Sequence, residues 1–209
     1  MMRSEGPARS GPLTVEAFGF TGDLRFSPDP RRPYIGKARR RGPDGDVFLK
    51  SYDLSAWSVT RGWHSRLRRR CALIERFTSG RTRFRTVGAR LIRASLAAEG
   101  LRPITEPRTL DRIAFGRLWD MLHEMHASGL THGDVAPRNV VTDGAQAELI
   151  DWEPILVAPG PGPATDPAPD RVTDPTRWLG GCDLLRLAPP DARVEQLDLI
   201  GINRFRMLA

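Results

Sequence analysis

The dipeptide Asp143-Gly144 lies between the apolar pairs Val140-Val141 and Leu149-Ile150, and it restricts this chain more than any other feature. Two β-type runs joined through Asp-Gly read as a hairpin, because such a turn needs residues that tolerate positive φ. Centred on Ala145, the hairpin pairs Thr142 with Glu148, Val141 with Leu149 and Val140 with Ile150. The next opposed pair is Asn139 with Asp151. Directly opposed residues hold their Cβ atoms about 5 Å apart. An amide oxygen and a carboxylate are therefore expected together at the open end of a β-ribbon. Asp134 stands five residues before Asn139, on a loop that follows a helix, and can reach the same end.

That set suits a hard cation. Magnesium takes oxygen ligands, keeps several waters and needs only one or two protein side chains beside substrate phosphates. One acid to hold metal and another to receive a hydroxyl proton are the parts phosphoryl transfer needs.

His132-Gly133-Asp134, Asn139 and Ile150-Asp151-Trp152 resemble the catalytic loop and metal-binding motif of the protein-kinase-like superfamily, whose usual pattern is His-Arg-Asp, then Asn, then Asp-Phe-Gly. Gly133 for the arginine and Trp152-Glu153 for Phe-Gly look like the bacterial lipopolysaccharide (Kdo-type) kinases and the RIO-like and aminoglycoside-phosphotransferase-like atypical kinases. The resemblance implies Asp134 as catalytic base, Asn139 and Asp151 as magnesium ligands, and His132 as a brace for the loop. It implies that Lys50, within Val47-Phe48-Leu49-Lys50-Ser51-Tyr52, is the third-strand lysine that pairs the nucleotide phosphates. Thr105-Glu106-Pro107 would be the hinge that offers backbone groups to adenine. Asp198, downstream of Leu187-Ala188-Pro189-Pro190, would bond the catalytic-loop backbone. The implied cofactors are ATP and Mg2+. The implied reaction moves the γ-phosphate to a hydroxyl acceptor, of sugar, lipopolysaccharide or protein type.

The expected fold is α+β and two-lobed. Residues 1–12 form a flexible lead, residues 13–106 a reduced N-lobe of sheet and helices, and residues 107–209 a truncated helical C-lobe with the catalytic loop. Tyr34 to Ala38 and Asp46 to Tyr52 read as a hairpin. Trp63, Leu67, Cys71 and Ile74 mark a helix to Phe77, with arginines on its other face. Phe84, Val87, Leu91 and Ala94 mark a second helix, from Arg83 to Glu99. A third runs from about Leu110 to Ser128, and Val157 to Asp170 reads as a mobile loop.

Three departures from the family pattern support an alternative, a kinase-shaped binding or scaffold module without catalysis: Leu101 to Leu110 is very short for a segment that normally holds two strands and the hinge, and two others concern the nucleotide phosphates. No glycine-rich loop precedes Lys50, and the helical glutamate expected near Val87 to Ala89 is missing, which leaves Glu75 as substitute.

Charge carries a third reading. The chain has 32 basic and 25 acidic residues, a net of +7, with clusters at Lys37 to Arg41 and Arg66 to Arg70. Such clusters suit a nucleic acid, an acidic membrane or an anionic acceptor. No apolar run approaches the roughly 18 residues of a membrane span. Cys71 and Cys182 have no metal spacing and read as free thiols. A cytoplasmic protein is expected, with a peripheral place at the inner membrane face open to it through the arginine clusters.

Overall fold

The computed structural model describes residues 13–14, 23–42, 45–57, 60–97, 100–104, 110, 112–160, 166–180 and 182–208. These residues form a mixed α+β structure. In chain order the strands are β1 (Leu13–Thr14), β2 (Asp23–Leu24), β3 (Ser27–Asp29), β4 (Arg32–Gly42) and β5 (Gly45–Asp53). Helix α1 (Arg61–Phe77) follows, then β6 (Thr82–Val87), β7 (Arg90–Leu96) and β8 (Arg102–Pro103). Helix α2 (Arg112–Ala127), β9 (Val140–Thr142), β10 (Ala147–Leu149), α3 (Cys182–Leu185) and α4 (Val194–Leu208) complete the order. The chain divides into two compact units, Met1–Ser55 with Phe84–Leu96 and Ala56–Arg83 with Ala97–Ala209.

The first unit is built on a five-stranded sheet in the order β3-β4-β5-β7-β6. The expected hairpin is present and longer than the sequence suggests, with antiparallel pairing from Ile35 opposite Tyr52 to Gly42 opposite Gly45. Val47, Leu49 and Ser51 are buried while Phe48 is exposed, the period-2 pattern of a strand with one covered face. Val47, Leu49, Ile92 and Ala94 form this unit's core, with Phe26, Ala38 and Val87 against it.

Residues 83–99 correct an expectation: they hold two strands, not a helix. The spacing of Phe84, Val87, Leu91 and Ala94 matches a helical stripe, but Gly88 turns the chain with φ +56°. Thr82 and Phe84 are buried while Arg83 and Arg85 are exposed, an alternation only a strand produces. Strand β7 pairs with β5 over seven residues, from Val47 opposite Leu96 to Asp53 opposite Arg90. A helix would leave the N–H and C=O groups of that β5 edge unpaired.

The second unit holds the helices and a three-stranded sheet in the order β10-β9-β8. Thr60 caps α1 by accepting the Trp63 N–H at 3.2 Å. The helix buries Trp63, Leu67, Cys71 and Ile74, as the stripe requires, and Arg70 with them. The expectation that its arginines avoid the apolar face is therefore corrected at Arg70. Burial pushes the Cys71 thiol up to about 12, so it stays protonated and inert. Helix α1 belongs to the second unit because its buried face packs there, with the Phe77 ring 5.4 Å from that of Trp152.

Helix α2 buries Ala114, Leu118, Leu122 and Met125. It ends in a Schellman motif. The Leu130 N–H bonds the Met125 carbonyl, the Gly129 N–H bonds the His126 carbonyl, and Gly129 takes φ +75°. That stop aims the chain into the segment that follows. A separate core gathers Leu156, Val172, Trp178, Leu184, Val194 and Leu197 beneath it. Residues 157–170, expected as a mobile loop, are fastened on both sides of 161–165. The Ala158 N–H bonds the Arg177 carbonyl, Pro167 accepts the Leu156 N–H, and Asp166 pairs with Arg66 at 3.0 Å. Among the described residues no helix is long and apolar enough to cross a membrane.

Candidate active site

Leu130 and Thr131 lead from α2 into His132-Gly133-Asp134. Gly133 takes φ +79°, a conformation that disfavours any side chain. The turn it makes is held from below by Asp198 of α4. One carboxylate oxygen accepts the His132 N–H at 2.9 Å, and the other accepts the Gly133 N–H at 2.7 Å. His126 Nε2 lies 3.1 Å from the same carboxylate. Asp198 is fully buried, so these donors replace the water its charge would otherwise need.

His132 is buried, and its Nε2 lies 2.9 Å from the Ile150 carbonyl. A carbonyl only accepts, so Nε2 carries the proton. Nδ1 is buried and makes no hydrogen bond among the described residues. The His132 and Trp152 rings meet edge to face at 4.8 Å, and Trp152 Nε1 donates to the Leu149 carbonyl. His132 thus ties the loop to the residue that follows β10.

The 3-10 turn Pro137–Asn139 brings the chain back toward Asp134. Asn139 Nδ2 donates to the Asp134 backbone carbonyl at 2.9 Å and to its carboxylate at 2.8 Å. Arg138 Nη2 reaches the two carboxylate oxygens at 2.7 and 3.0 Å. A carboxylate offers about four lone-pair sites, so both partners leave acceptor capacity on Asp134. Because the Asn139 amide nitrogen is committed, its oxygen is the atom left to act as a ligand.

The hairpin itself corrects the expected register by one residue. Thr142 pairs with Ala147, Val141 with Glu148 and Val140 with Leu149. The next link is the Ile150 N–H to the Asn139 carbonyl at 2.8 Å, so Asn139 faces Ile150 rather than Asp151. The cause is the loop. Asp143 Oδ1 accepts the N–H groups of Ala145 and Gln146, and Thr142 Oγ1 bonds the Gln146 carbonyl. These bonds close a four-residue loop, 143–146, so the pairing centre falls before Ala145. The Gln146 and Ala145 amides also hold the Asp143 carboxyl below the usual carboxylate range. Asp151 follows the ladder with φ +62°, a left-handed turn that takes its side chain off the strand alternation.

Several residues that sequence reasoning passed over shape this loop. Trp178 Nε1 donates to the Gly133 carbonyl at 3.3 Å. Gly180 and Gly201 let the chain press against it. A Cβ at Gly180 would lie 2.6 Å from the Gly133 oxygen, and one at Gly201 would lie 2.2 Å from the Val135 oxygen. Gly201→Ala should therefore destabilise the protein by ~1–3 kcal/mol, because the overpacking exceeds the gain in helix propensity of roughly 1 kcal/mol. Urea titration of the variant checks this, and a rise in stability would refute the close approach of α4.

Lys50 belongs to the first unit, on β5, opposite Lys37 of β4 and Arg93 of β7. Glu106 lies outside the described residues, and Glu75 stands near the end of α1. Among the described residues no group of three or more His, Cys, Asp or Glu side chains could hold a metal ion. A scan of family models finds no match to this chain, and neither does a search of curated proteins.

Proposed function

We propose that the protein is an ATP- and magnesium-dependent phosphotransferase of two-lobed, protein-kinase-like fold. The observation that carries this reading is the return of the 132–139 loop on itself, with Asn139 bonded to Asp134 and the His132 and Gly133 N–H groups held by the buried Asp198. That is the arrangement the resemblance leads one to expect of a catalytic loop. In this reading Asp134 accepts the acceptor hydroxyl's proton as the hydroxyl oxygen attacks the γ-phosphorus and the bond to ADP breaks.

The Asn139 oxygen and the Asp151 carboxylate would hold magnesium. One amide, one carboxylate, nucleotide phosphates and water meet that ion's needs without a third acidic ligand. When bound, the ion neutralises charge on the phosphates. The first unit supports the same reading. Lys50 is on the third strand of its sheet in chain order, and a helix bearing Glu75 comes next, the order in which a kinase carries its lysine and glutamate. Lys37 and Arg93 flank Lys50 on the neighbouring strands, a basic row on that sheet in which Asp29 pairs with Lys37 at 3.0 Å.

The test is labelled-ATP transfer to proteins, sugars, lipopolysaccharide and aminoglycosides, with Asp151→Ala as the blank. Transfer by the wild type alone is the expected result. Failure to bind or turn over Mg-ATP would end the proposal. A second reading, a nucleotide-binding module without catalysis, draws on Arg138, whose two-pronged pairing competes for the Asp134 carboxylate. Its signature is a thermal shift with Mg-ATP and no transfer to any acceptor.

A further inference from the structure

We infer that Arg70 is the positioning residue that locks the loop carrying Asp134 to the segment carrying Asp151. The inference rests on the phosphotransferase reading for its kinetic consequence, but not for its structural one. Arg70 lies on the buried face of α1, seven residues after Trp63 and four before Ile74. Its Nε donates to the Glu153 carbonyl at 3.0 Å, and its Nη2 donates to the Thr131 carbonyl at 2.8 Å. Thr131 immediately precedes His132, and Glu153 follows Asp151 by two residues. One side chain from a helix distant in sequence therefore fixes both flanks of the candidate site.

The chemistry requires arginine. Two carbonyls on separate segments need two N–H donors at fixed separation on one rigid plane, which a guanidinium supplies and a lysine ammonium does not. Burying a guanidinium is costly, and burial lowers its pKa to about 10, with the charge of Asp198 opposing the shift. It remains protonated at neutral pH. Apolar residues fill the rest of this helix face, and one of them here would avoid that cost. The candidate site gives the reason for arginine instead. Gly133 stands where the family pattern has an arginine, and Arg70 reaches the adjoining Thr131 from α1.

The experiment uses the full chain with Arg70→Lys, Arg70→Gln and Arg70→Ala, and with Arg68→Ala, an exposed neighbour, as control. Amide hydrogen exchange without nucleotide is read at residues 130–134 and 151–153. Exchange should quicken at least tenfold in both segments for the Arg70 variants and stay unchanged for the control. In transfer assays kcat should fall on the order of 10–100-fold with KM for ATP within about twofold, because a displacement near 1 Å costs rate rather than binding. Guanidinium at millimolar concentration should restore part of kcat to Arg70→Ala and none to Asp134→Asn. Unchanged exchange in either segment would overturn the inference, as would full activity in Arg70→Gln. Faster exchange in both segments of a protein whose wild type transfers no phosphate would uphold the coupling and defeat the phosphotransferase reading instead. Should Arg70→Ala fail to fold, Arg70→Lys, which keeps the charge and loses one bond, carries the same comparison.

Discussion

Asp134→Asn should reduce phosphoryl transfer by 10²- to 10⁴-fold, the range that removal of a positioned general base produces, while Mg-ATP still raises the melting temperature. The substitution keeps size and shape. Its side-chain oxygen can still accept from Asn139, so the loop retains its fold. What disappears is the capacity to take a proton at neutral pH. Arg138 loses one of its two ionic partners and keeps Asp183 at 3.7 Å, and its side chain is largely exposed, where such pairs contribute little to stability. Activity and binding should therefore separate cleanly. Steady-state kinetics beside a nucleotide thermal shift make the measurement. A variant within threefold of wild type would remove Asp134 from the catalytic role.

Asp198→Ala should destabilise the fold by about 3 kcal/mol or more, and should do so through the loop rather than through α4. The carboxylate is fully buried and satisfies two backbone N–H groups, with His126 as a third neighbour. Removing it strands buried donors, and each unmade bond of that kind costs roughly 1–3 kcal/mol. Against a typical unfolding free energy of about 5–15 kcal/mol the loss is severe. For a chain of this size it corresponds to a fall of roughly 10 °C in melting temperature. Asp198→Asn should recover only part of the loss, since an amide NH2 must then face one of the two N–H groups. Denaturant titration of both variants decides the matter. A loss under 1 kcal/mol in Asp198→Ala would show that the two N–H groups find other acceptors.

The elements differ in how far they could be read. Helix α2 and its stop at Gly129 were legible because the apolar stripe and the glycine act locally, within one turn of each other. The hairpin after Asn139 was legible for the same reason, but its register was not. Register depends on whether Asp143 and Thr142 cap the loop, and that choice displaced Asn139 by one residue relative to its expected partner. Residues 83–99 misled because apolar spacing of three and four residues is compatible with a helix, and also with two short strands broken at Gly88. Only β5, lying alongside, selects between them.

Arg70 shows the same limit at the candidate site. Its place on the apolar stripe of α1, seven residues after Trp63, was a readable signal that it is buried. No sequence signal says that its partners are Thr131 and Glu153, 61 and 83 residues away. By itself the sequence determined the local turns and the helix that delivers the loop, and it put forward His132, Asp134, Asn139, Asp151 and Asp198 as candidates. Tertiary structure decided which backbone groups Asp198 and Arg70 satisfy, how closely α4 approaches at Gly201, and which strand edge residues 90–96 complete. The physical reason is range. Turn and cap energies depend on a few neighbouring dihedrals, whereas burying a charge or completing a sheet is favourable only once distant segments have already come together.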